Sequence, residues 1–184
     1  MNSFVEPLSI QQILEGYAGP DAQYLLRYWR ENKGIISRDT TINQISRKLM
    51  LFEAVSSPGD VPPATFIGKQ STFRSYLSQS ATPHSLPSSY RQKVSYGYEA
   101  AVNGEPWYDI QRTGTLMGEG TPDLVLERLI LKFRTKSGFE RIFCLMMKVD
   151  ENLRYVQSDQ GRRLYHFLPK SSLHQLGLAH HQPI

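Results

Sequence analysis

A single cysteine, Cys144, stands in the 184 residues, so no intrachain disulfide can form. Cys144 lies in the apolar run Ile142-Phe143-Cys144-Leu145-Met146-Met147. That setting marks a buried structural thiol, because a reactive thiol needs a cationic, accessible environment. Long apolar runs are missing too. No window approaches the roughly 18 residues that a membrane-spanning helix requires. The first seven residues have neither the basic nor the apolar region of a secretory signal. With cysteine so scarce, these absences predict a soluble cytoplasmic protein with no membrane partner.

Excess charge of one sign is lacking. The formal net charge is +4, and the only adjacent basic pairs are Arg47-Lys48 and Arg162-Arg163. A nucleic-acid binder usually carries a basic stripe or a known module, so nucleic acid is not expected as a partner. Catalytic and metal motifs are missing as well. The five histidines (His84, His166, His174, His180 and His181) include no zinc-helix pairing with glutamate. No nucleophile elbow is present. Gly114, Gly118 and Gly120 fit neither a dinucleotide nor a phosphate-loop spacing. We therefore expect no catalytic residues, no metal and no enzyme; any cofactor is unknown.

What is present is an ordinary globular composition, 40% hydrophobic and 21% charged, with 8 Phe, 10 Tyr and 2 Trp. A chain of this length buries roughly 70% of its unfolded surface, enough for one domain without staples. Ser9-Ile10-Gln11-Gln12 has the form of a capping box before a short helix. Residues 21–33 follow as an amphipathic helix, with Tyr24, Leu25, Tyr28 and Trp29 on one face. Residues 49–55 and 64–68 read as strands around the turn cluster Ser56-Ser57-Pro58-Gly59-Asp60. Residues 73–77 predict a short helix, and 78–89 a Ser/Pro loop. Residues 90–102 are helical by spacing, with Gly97 as an interior irregularity. Residues 107–111 read as a strand. Residues 127–134 alternate with period two, as a strand with a wetter even-numbered face. Thr135-Lys136-Ser137-Gly138 turns into a return strand over 139–149. A last hairpin flanks Ser158-Asp159-Gln160-Gly161. Segregated strands and helices predict an α+β fold with an antiparallel sheet.

Four blocks carry a family resemblance: Tyr28-Trp29-Arg30 with Ile35-Ile36-Ser37-Arg38-Asp39; Leu49-Met50-Leu51-Phe52-Glu53; Phe66-Ile67-Gly68-Lys69-Gln70; and Asn103-Gly104-Glu105-Pro106 with 126–133 and Ser137-Gly138. In order and spacing over residues 21–150 they resemble the PAS-like domain family common in alphaproteobacteria. The long polar, glycine-free stretch 71–89 departs from the family, whose members carry a glycine-containing turn there. The resemblance implies a sheet of about five antiparallel strands with helices on one face and a leading amphipathic helix. It divides the chain into an N-terminal extension 1–20, a PAS-like domain 21–150 and a C-terminal extension 151–184.

It also implies a signalling role: a stand-alone sensory or protein-interaction module with a signalling partner, holding a small-molecule ligand between sheet and helices. Phe66, Tyr98, Trp107 and Phe133 are the expected lining. A haem sensor would need a pocket histidine, and none falls in 90–149; a flavin photosensor would need a cysteine in the helical region. The leading helix, through Tyr24, Leu25, Tyr28 and Trp29, is the expected surface of a homodimer. The alternatives are a small α+β enzyme or carrier with a cone-shaped pocket, and a dimeric scaffold without ligand.

Overall fold

Strands that are apolar without a break have to be covered on both faces. Leu129-Ile130-Leu131 and 142–146 are such runs, and they form the centre of the sheet in the computed structural model. The structure describes residues 4–37, 40–77, 82–114, 122–149, 154–157 and 163–166. The strands are β1 (Phe4–Pro7), β2 (Ile35–Ile36), β3 (Leu49–Glu53), β4 (Ala64–Ile67), β5 (Trp107–Arg112), β6 (Val125–Thr135) and β7 (Glu140–Lys148). Their spatial order is β1-β5-β6-β7-β3-β4, with antiparallel neighbours. β2 pairs with β6 in parallel, past the start of β5. A separate pair, β8 (Arg154–Gln157) and β9 (Arg163–His166), forms the C-terminal hairpin; its turn lies outside the described residues.

One face of the sheet carries α1 (Ile10–Leu14), α2 (Pro20–Glu31) and α3 (Thr40–Ser46). Ile13, Leu25, Leu26, Ile42 and Ile45 pack there against Leu129, Leu131, Phe133, Phe143 and Leu145. The other face carries a π-helical turn (Phe73–Leu77), a 3₁₀ turn (Pro83–Ser85) and α4 (Ser88–Val102). Phe73, Tyr90, Val94, Tyr98 and Ala101 pack there on Met50, Phe52, Ile130, Ile142 and Cys144. Two expectations are corrected. The main sheet has seven strands rather than about five, because the N-terminal segment adds β1 to β5 and the stretch after α2 adds β2. The helices cover both faces rather than one. Of the even positions of β6, expected to be wetter, Arg128 and Ile130 are buried under α4, Lys132 is half-buried and Arg134 alone is exposed. No helix among the described residues is long and apolar enough to cross a membrane.

Local chemistry sets the helix ends. Gly19 is the N-cap of α2 and Pro20 its first helical residue, one position earlier than Asp21 suggests. Proline suits that place because its missing N–H is an orphan there anyway. Asp21 instead accepts from Lys48 Nζ at 2.5 Å. α2 closes through Gly34, at φ +69°, whose N–H donates to the Trp29 carbonyl at 2.8 Å.

Gly97 has a packing reason. A Cβ there would stand 2.6 Å from Trp107 Cδ1, 2.8 Å from its Nε1 and 2.9 Å from Ile130 Cδ1. The glycine lets α4 lie down on the sheet. Gly97→Ala should therefore lower stability by about 1–3 kcal/mol from overpacking. That loss opposes a helix-propensity gain of about 1 kcal/mol. A urea titration reads the balance, and a variant more stable than the wild type would refute the packing argument.

Candidate functional site

The face under α4 is apolar, yet a charged group stands at its centre. β5 and β6 place Asp109 directly opposite Arg128. Arg128 is 1% exposed and Asp109 0%. Arg128 Nε donates to Asp109 Oδ1 at 3.1 Å, and its second nitrogen donates to Oδ2. The remaining nitrogen donates to the Val94 carbonyl of α4 at 3.2 Å. Trp107 Nε1 donates to Asp109 Oδ2 at 2.7 Å. The guanidinium also lies over the Tyr98 ring, 5.4 Å from its centroid. Burial pulls the Arg128 pKa down, but the Asp109 charge and hydrogen bonds outweigh it, and the net shift is upward. The pair is a two-pronged fork, the arrangement in which a buried charge is tolerated.

Around this pair the tyrosine hydroxyls are paired off locally, whereas Gln111 Nε2 is buried without a hydrogen-bond partner among the described residues. Tyr90 donates to Gln111 Oε1 at 2.9 Å, and Tyr98 lies 3.6 Å from Cys144 Sγ as donor. Burial raises both tyrosines above their ordinary range. Burial also pushes the Cys144 thiol up to about 11, so it stays protonated and unreactive. The Phe52 and Tyr98 rings meet edge-on at 4.8 Å. Between Met50, Val61, Phe73, Tyr90, Val94, Tyr98 and Met146 there remains a cavity of about 10 Å³. That is room for about one water.

The opposite face holds a second buried ionisable group. Glu127 of β6 sits at the N-terminus of α2. Gly19 N–H lies 3.2 Å from each of its carboxylate oxygens, and Tyr108 Oη donates to Oε1 at 3.1 Å. A helix N-terminus favours a carboxylate. Burial is the larger influence, however, and the Glu127 pKa is raised from 4.5 to about 7, with the nearby Asp21 charge adding to the rise. Gly19 belongs to this contact: a Cβ there would lie 3.1 Å from Glu127 Oε2 and 3.2 Å from Met147 Cε.

The four residues expected to line a ligand site do not come together. Tyr98 lines the small cavity, and Trp107 reaches the same network through Asp109. Phe133 points to the other face, where its ring is 4.5 Å from Phe143 and 6.2 Å from Tyr28. Phe66 lies on the outermost strand, β4, and is exposed. The stripe on α2 faces the chain's own sheet. Leu25 and Tyr28 are buried, Tyr24 and Trp29 are half-buried, and Trp29 Nε1 donates to the Lys132 carbonyl at 2.7 Å. Gly114 N–H is held by Asp123 Oδ1 at 3.1 Å; Gly118 and Gly120 lie outside the described residues. Asp109, Glu127 and Arg128 escaped the sequence reading. Their signal was a charge set inside an apolar strand, in Tyr108-Asp109-Ile110 and in Leu126-Glu127-Arg128-Leu129. The chain matches no protein-family model, no curated protein and no solved structure.

Proposed function

We propose that the chain is a PAS-like signalling module that acts through a protein partner, with its interior occupied by its own side chains. The element order supports this reading. The leading helix α2 precedes β3 and β4, then short helical turns and α4, then β5, β6 and β7. That is the order the resemblance leads one to expect. Three of the blocks lie along that order: Leu49–Glu53 is β3, Gly68 follows β4, and in the last block Asn103-Gly104 follows α4 while Gly138 turns β6 into β7.

The observation that carries the partner-based reading is the cavity of about 10 Å³ between the sheet and α4. Ligand pockets are typically about 300–1,000 Å³. On this reading a signal arrives as a shift between conformations that a partner favours. Native mass spectrometry of the purified protein, set against its denatured mass, tests this. The expected result is a folded mass equal to the chain mass or a whole multiple of it. A small-molecule mass that is carried by the folded form and lost on denaturation would overturn the reading in favour of a ligand sensor or carrier.

A further inference from the structure

The helices leave one corner of the α1–α3 face uncovered. Register places Phe66, Leu51, Phe143 and Leu131 in one row across β4, β3, β7 and β6. Phe143 and Leu131 are buried, whereas Leu51 is half-buried and Phe66 is 46% exposed. The adjoining row runs Glu53, Arg141, Phe133. One row further, just before β7 and opposite Thr135, Phe139 is 54% exposed. The corner is thus a surface on which Phe66 and Leu51 lie to one side of Glu53 and Arg141 and Phe139 to the other.

Those two charges are not used on each other. Glu53 and Arg141 stand directly opposite on neighbouring antiparallel strands, where opposite charges ordinarily pair. Arg141 instead stacks over the Phe139 ring at 3.8 Å and donates to the Glu140 carbonyl at 2.9 Å. The Glu53 side chain makes no hydrogen bond or ion pair among the described residues. A patch carrying both signs between apolar side chains is complementary to itself under a two-fold rotation, which brings residue i of one copy to residue j of the other and j to i. Pro62 and Pro63 precede β4, and its register shifts between Leu51 and Phe52. Both features blunt the strand edge against added strands. The contact they leave open is through side chains of the face.

We propose that this corner is the interface of a homodimer, in which Phe66, Leu51 and Phe139 of two copies pack together and Glu53 of each copy pairs with Arg141 of the other. The interface would stand whether or not the PAS-like reading does. Sedimentation velocity on the full 184-residue chain tests it, with circular dichroism confirming that each variant folds. The wild type should dimerise. Phe66→Ser should weaken the dimer, whereas Tyr96→Ser should leave it intact, although Tyr96 on α4 is the more exposed ring at 66%. Glu53→Arg alone and Arg141→Glu alone each set like charges against each other twice, and should weaken dimerisation on the order of a hundredfold. Mixing the two folded charge variants makes both cross-copy pairs attractive again and should restore a dimer. A wild type that stays monomeric, a dimer insensitive to Phe66→Ser, or two folded charge variants that do not recover on mixing would each overturn the proposal.

Discussion

Asp109→Ala is expected to lower the unfolding free energy by about 3–5 kcal/mol. The substitution removes the counter-ion of Arg128, a guanidinium buried under α4. It also takes the acceptor from Trp107 Nε1. The lone charge keeps the Val94 carbonyl and the Tyr98 ring, which do not neutralise it. Domains of this size are stable by only about 5–15 kcal/mol, so the variant should be marginal or unfolded at 37 °C. Most of that loss reflects an unpaired buried charge and not the net worth of the pair. The double variant Asp109→Leu with Arg128→Met should accordingly recover most of it, since apolar groups of similar volume often replace a buried ion pair at no net loss. Urea unfolding of Asp109→Leu, Arg128→Met and the double variant gives the coupling directly. A loss below about 1 kcal/mol in Asp109→Ala would mean that water reaches Arg128.

The second large effect is on pH dependence, and it comes from the other face. The Glu127 pKa is raised from 4.5 to about 7 in the folded chain, chiefly by burial. Between those values the folded state holds a proton that the unfolded state has released. Stability must then fall as pH rises through that window and level off above about 7. The total is about 3 kcal/mol, at about 1.4 kcal/mol per unit. Glu127→Gln keeps an acceptor for Gly19 N–H and Tyr108 Oη and carries no charge. Its stability relative to wild type should therefore grow by about 3 kcal/mol between pH 4.5 and pH 8. Unfolding curves at several pH values read this, and parallel pH profiles for the two proteins would contradict the burial of Glu127.

The sequence was legible where a pattern has one physical cause. The stripe of Tyr24, Leu25, Tyr28 and Trp29 predicts α2, and Tyr90, Val94, Tyr98 and Ala101 predict the buried face of α4. Alternation over 127–134 and the Gly138 turn give β6, β7 and their pairing. The misses lie where pairing partners are far apart in sequence. Phe4–Pro7 becomes a strand only because β5 offers an edge, and Ile35–Ile36 only because β6 runs past β5. Arg128 suggested a wet face because a charge usually seeks water; its partner Asp109 lies on another strand, and nothing local announces the fork. Phe66 and Phe133 failed as a pair for a simpler reason. Each fits a sheet, but the strand registers put both on the α1–α3 face, away from Tyr98.

The central claim is that the space between the sheet and α4 is filled by side chains and organised on Arg128 and Asp109. Arginine side-chain NMR tests it most directly, because Nε–H protons of solvated arginines exchange rapidly near neutral pH. The account predicts that the Arg128 Nε–H resonance is strongly protected from exchange at pH 7.5, assigned by its loss in the double variant Asp109→Leu with Arg128→Met. Exchange of that proton at the rate of the exposed arginines would show an open, wet interior and contradict the account.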